Sequence, residues 1–112
     1  MQSVRSHPRS PAELQTLRDA LDEVRRIAVE VLASSGAAII LFGSAASGRF
    51  GPASDIDVAV DPAEPLAPGL LATLRERLEE SRVPYRVEVL DLSAVDATFR
   101  ERVLANGVRW TA

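Results

Sequence analysis

Residues 37–60 read Ala-Ala-Ile-Ile-Leu-Phe-Gly-Ser-Ala-Ala-Ser-Gly-Arg-Phe-Gly-Pro-Ala-Ser-Asp-Ile-Asp-Val-Ala-Val. Three signals follow one another here. Residues 37–42 are a short continuous apolar run, the pattern of a strand buried on both faces. Residues 43–54 are rich in glycine and serine and read as a loop. Residues 55–60 alternate polar and apolar, the pattern of a half-buried strand. On such a strand Asp55 and Asp57 point off one face, while Ile56, Val58 and Val60 point off the other.

Working outward, Ser10-Pro11-Ala12-Glu13 has the form of a capping box with proline at the first helical position. Leu14, Leu17, Leu21, Val24, Ala28, Val31 and Leu32 then recur at steps of three and four, predicting an amphipathic helix of about six turns that ends before Gly36. Downstream, Pro62, Pro65 and Pro68 mark a linker. Leu70, Leu71, Leu74 and Leu78 mark a second helix with a charged outer face. Pro84 opens a third strand that runs to Leu90. Ser93, with Asp96 three residues on, caps a third helix containing Val95, Phe99, Val103 and Leu104, which ends at Gly107. A short strand follows at residues 108–110. The expected fold is therefore one α/β (α+β) domain over residues 10–112, after an N-terminal tail of residues 1–9 without fixed structure.

Composition narrows the chemistry. The chain has 112 residues, and its thirteen basic side chains are all arginine. It has no cysteine, and its one histidine, His7, lies in the tail. Schiff-base lysines, thiol nucleophiles and cysteine-held zinc are excluded. The remaining menu of carboxylates, hydroxyls, backbone amides and arginines favours a hard, oxygen-bound cation such as Mg²⁺. A net charge of −3 argues against a general nucleic-acid coat or an anionic-membrane binder. No apolar stretch is long enough to span a membrane, and no signal peptide opens the chain, so a cytoplasmic location is expected.

The candidate chemistry centres on acids. Two strand steps place Asp55 and Asp57 about 6–7 Å apart at Cα. Two anions at that distance repel by about 2.5 kcal/mol at an effective dielectric near 20, a penalty a divalent cation removes. Glu88, flanked by Val87 and Val89, adds a third carboxylate if its strand lies beside the first two acids with matching faces. Gly43 allows close approach of backbone to ligand, and Ser44 reads as the cap of a short helix whose amides face an anion. Each part alone has an ordinary reading: a solvated loop-edge acid, an exposed strand residue, a turn. Their order and spacing together are the equipment for phosphoryl or nucleotidyl transfer.

Gly43-Ser44, ten residues, then Asp55-Ile56-Asp57 resembles the signature of nucleotidyltransferases related to DNA polymerase beta. Among them the chain is most similar to the minimal nucleotidyltransferase (MNT) domains, which are often paired with a HEPN-domain toxin. The resemblance extends through Val87-Glu88-Val89-Leu90-Asp91-Leu92 to Gly107-Val108-Arg109-Trp110. It implies a mixed sheet with helices packed on it. It implies that Gly43 and Ser44 bind nucleotide phosphates, that Asp55 and Asp57 hold Mg²⁺, and that Glu88 takes the third carboxylate position. Relatives often carry arginine where this chain has Ala45 and Ser47; Arg49 is either the stand-in for them or an ordinary solvated loop residue. The implied activity is transfer of AMP from ATP to a hydroxyl of a HEPN toxin, with the chain as antitoxin. Alternatives are a module that neutralises the toxin by contact alone, a small-molecule nucleotidyltransferase, and an unrelated α/β domain in which the three acids do not meet. Self-association into a homo-oligomer is compatible with all of these.

Overall fold

The computed structural model describes residues 10–51 and 54–111. The expected tail, residues 1–9, lies outside the described residues. Helix α1 spans Pro11–Leu32. Its capping box is complete: Ser10 Oγ accepts from the Glu13 amide at 3.1 Å, and Glu13 Oε1 accepts from the Ser10 amide at 2.9 Å. A 3₁₀ turn, Ala33–Ser35, and left-handed Gly36 end it and lead into β1, Ala38–Phe42. A four-residue helix α2, Ser44–Ser47, follows at once. Then come β2 (Ile56–Asp61), α3 (Leu70–Glu79), β3 (Val87–Asp91), α4 (Ala97–Asn106) and β4 (Val108–Arg109).

The four strands form one mixed sheet in the order β3-β2-β1-β4. β1 runs antiparallel to both β2 and β4, and β2 runs parallel to β3. A parallel pair needs a long crossover, and α3 supplies it. Ala38 to Leu41 are all buried, as a strand covered on both faces requires.

Each sheet face has its own cover. Ile39, Leu41, Ile56, Val58 and Val60 face α1 and α3 and pack with Val24, Ile27, Leu32, Leu74 and Leu78. Ile56, Val58, Val60, Val24 and Leu74 are completely buried there. Each such side chain contributes roughly 1.5–3 kcal/mol by leaving water. On the opposite face Ala38, Ile40 and Ala59 meet Leu92 and Val103, with Phe42, Leu90, Val95 and Phe99 around them. Phe42 and Phe99 meet edge to face at 6.2 Å. Arg100 ties α4 to the far end of β2, donating to both oxygens of Asp61 at 3.1 Å.

The C-terminal strand clamps β1. The Trp110 amide donates to the Ile39 carbonyl at 2.8 Å, and the Ile39 amide donates to Thr111 Oγ1 at 3.0 Å. Arg25 of α1 then donates to the Trp110 carbonyl at 3.0 Å.

Three boundaries differ from the sequence reading. α2 is capped by Gly43, not Ser44: Gly43 sits at φ +74°, and its carbonyl accepts from the Ala46 and Ser47 amides. α4 begins at Ala97 with Asp96 as its cap, because Ser93 is already engaged by Asp91, which accepts from both its amide and its hydroxyl. β3 begins at Val87 rather than Pro84. Pro84 has no amide hydrogen to give a ladder, and Tyr85 is drawn onto Phe50, ring centres 5.0 Å apart.

Candidate active site

The site lies where β1 ends and where β2 and β3 begin. Phe42 stands opposite Asp57, and Asp57 stands opposite Glu88. Lateral partners share a face, so this row presents an aromatic ring and two carboxylates on the side α4 covers only in part. One row earlier, Asp55 lies across from Arg86, fixed by the Ile56 amide donating to the Arg86 carbonyl at 2.9 Å. Ile56, between the two aspartates, is fully buried on the other face.

Gly43 borders this row. A β-carbon on Gly43 would overlap the Asp57 carboxylate, and the left-handed backbone there already disfavours one. The glycine therefore does two things: it turns the chain from β1 into α2, and it leaves room for Asp57. Phe50, buried against Tyr85, pins the loop between α2 and β2 to the body of the domain.

The electrostatics are those of crowded anions. Burial, then Asp55, then Glu88 push the Asp57 carboxyl above the usual aspartate range. Arg86, two residues before Glu88 in sequence, donates from Nε to Glu88 Oε2 at 2.9 Å, and a terminal nitrogen of its guanidinium forms an ion pair with the same oxygen at 2.8 Å. Glu88 is thus paired with Arg86 while it stands beside Asp57 in the register. Among the described residues no three acidic or histidine side chains stand at metal-ligand spacing. The donor set nonetheless suits a hard divalent cation. It consists of carboxylate oxygens, with Asp57 raised above the usual aspartate range by burial and then by Asp55 and Glu88, beside a glycine that keeps space open.

The phosphate side is less complete. Ser44 lies in the first turn of α2. Arg49 follows that helix, exposed, with its amide on the Ser44 carbonyl at 3.0 Å. Its guanidinium meets no acid among the described residues. The structure thus brings Asp55, Asp57 and Glu88 to one end of one sheet face, with Gly43 and Ser44 following β1 at that end and Arg49 on the exposed loop after α2. Sequence reading missed Arg86. Its signal was present, since an i, i+2 pair on a strand shares a face.

Residues 29–109 match the family described as polymerase beta, nucleotidyltransferase. A probable protein adenylyltransferase MntA of Haemophilus influenzae is 38% identical over 60 residues, covering 54% of this chain and 53% of that protein. The chain therefore spans about half the length of that curated relative. A protein assigned as a minimal nucleotidyltransferase has the same fold, with TM-score 0.66, 27% identity, and coverage of 80% of this chain and 92% of that one. A chain of a toxin–antitoxin complex solved with AMP-PNP matches with TM-score 0.63 and 25% identity, over 79% of this chain and 73% of that one. The family match takes in the end of α1, all four strands and every site residue named above, and on it the chain belongs to the polymerase beta nucleotidyltransferase family.

Proposed function

We propose that the chain is a Mg²⁺-dependent nucleotidyltransferase that moves AMP from ATP to a hydroxyl of a HEPN-domain toxin and thereby acts as its antitoxin. The observation that carries this reading is the pairing of Asp57 with Glu88 across β2 and β3, next to Gly43 and two residues from Asp55. Support for AMP as the transferred group comes from the adenylyltransferase name of the Haemophilus relative. The toxin–antitoxin complex with AMP-PNP supports a toxin as partner and an adenine nucleotide as substrate.

Asp55, Asp57 and Glu88 would hold the cation, which when bound supplies charge neutralisation at the reacting phosphate and the departing pyrophosphate. Gly43 and Ser44 would bind phosphate oxygens, and Arg49, on the exposed loop after α2, would add a positive charge. In the transfer, the acceptor hydroxyl oxygen bonds to the α-phosphorus, the bond from that phosphorus to the bridging oxygen breaks, and pyrophosphate leaves. Where it does not help hold the cation, Glu88 would accept the hydroxyl proton. The test is incubation of the full chain with labelled ATP, Mg²⁺ and its co-encoded partner. Label is expected on the partner and lost with Asp55→Asn plus Asp57→Asn. An unlabelled partner, or label that survives the double substitution, overturns the reading.

One observation favours a second reading, neutralisation by contact alone: Glu88 is already paired with Arg86. In that case the double aspartate variant still binds and inhibits the toxin.

A further inference from the structure

A triphosphate brings several negative charges to a site already crowded with carboxylates. Positions 45 and 47 hold alanine and serine, so the α2 turn contributes no cation of its own. α4 brings one from the opposite side. A groove of about 320 Å³ separates the α2 turn from α4, lined by Phe42, Gly43, Ser47, Phe99, Arg102 and Asn106 among others. Phe99, Arg102 and Asn106 lie at helical steps of three and four, on one face of α4. No acidic side chain lines this groove.

Of the neighbouring arginines, Arg49 on the loop after α2 meets no acid among the described residues, whereas two others are engaged. Arg100 is held by Asp61, and Arg86 by Glu88. Arg102 has no acid or carbonyl partner among the described residues. Arg102 therefore lines, with no acid of its own, the same groove as Gly43, where an added β-carbon would meet the Asp57 carboxylate. Apolar walls formed by Phe42 and Phe99 lower the local dielectric, which strengthens a charge-assisted hydrogen bond made there.

We propose that Arg102 is a polyphosphate-binding residue: its guanidinium, carried by α4 across the groove from Gly43 and Ser47, binds anionic oxygens of the nucleoside triphosphate. Arg102 takes the part that the α2 turn, with alanine and serine at positions 45 and 47, leaves open. The inference rests on the nucleotidyltransferase reading and adds a contact to it from a helix some fifty residues downstream of the turn.

Calorimetric titration of the full chain with α,β-methylene-ATP and Mg²⁺, and separately with AMP, tests it without turnover. Arg102→Gln is expected to weaken triphosphate binding about ten-fold or more, the worth of a hydrogen bond to a charged group. AMP binding should change much less, because most of the phosphate charge is missing. Arg102→Lys should restore part of the loss. Arg102 is exposed, so both variants should unfold at the wild-type temperature. Unchanged triphosphate binding in Arg102→Gln overturns the inference, and so does an equal loss for AMP and triphosphate. A wild-type chain that binds no triphosphate overturns the nucleotidyltransferase reading as well. Normal wild-type binding with an unaffected Arg102→Gln variant overturns only the role of Arg102.

Discussion

The two faces of the sheet use the same strands for opposite purposes. Under α1 and α3 the face is closed: Ile39, Ile56, Val58 and Val60 are buried against Val24 and Leu74, and charge is absent. Under α4 the face is closed only toward its far end, by Leu92, Val103 and Phe99, and opens onto Asp57 and Glu88 at the near end. Strand alternation makes this division possible, because Ile56 and Asp57 are adjacent in sequence yet belong to different environments. Stability and chemistry are thereby separated to within one residue. Substitutions on one face should leave the other face's property nearly untouched.

The largest expected effect is on chemistry. Asp57→Asn should reduce AMP transfer by on the order of a thousand-fold or more, since charge stabilisation worth several kcal/mol is lost. It should leave metal-free thermal stability equal or higher, because a partly buried, crowded carboxylate becomes neutral. A large fall in the unfolding temperature would break the division between the faces. Next is Leu74→Ala, on the closed face. It should cost about 2–5 kcal/mol in urea unfolding, while Mn²⁺ affinity of the folded protein stays at its wild-type value.

Gly43→Ala sharpens the comparison because Gly43 sits at the join. The left-handed backbone should cost about 1–2 kcal/mol of stability, and displacement of Asp57 should lower transfer about 100-fold. A pH series isolates Asp57. Its folded-state carboxyl titrates above the unfolded value, so the native state binds more protons than the unfolded chain in between. Metal-free stability should therefore fall as pH rises from the ordinary aspartate range through the raised one, and then level off. Asp57→Asn should remove that fall, and a saturating divalent cation should oppose it. The smallest effect is expected from Arg86→Gln. Freeing Glu88 from an exposed pair should tighten Mn²⁺ binding about 2- to 5-fold by calorimetry.

The closed face was legible from sequence because its signals are periodic. The capping box of α1, the apolar run of β1 and the alternation of β2 each define a local geometry, and each element forms where expected within a residue or two. The same alternation put Asp55 and Asp57 on the face away from Ile56. What sequence left conditional was the adjacency of Glu88, since nothing local fixes which strand lies beside β2. Competition among short polar side chains hid the start of α4. Ser93 and Asp96 are both competent caps, and only the prior claim of Asp91 on Ser93 decides between them. Arg86 and Arg102 were overlooked for different reasons. Arg86 acts on a neighbour two residues away, whereas Arg102 comes to line a groove with Gly43 only through the packing of α4 against β1.

The clamp on β1 has a kinetic consequence. Ile39 makes its outward main-chain bonds to Trp110 and Thr111, the latter 72 residues downstream. β1 is also the most apolar strand of the sheet. Until residues 108–111 dock, one edge of that strand stays unpaired, a template for misassociation with other unfinished chains. Such non-local closure is slow compared with helix formation. The folding yield of this protein should therefore be set by the docking of residues 108–111, the step that buries the last open edge of β1.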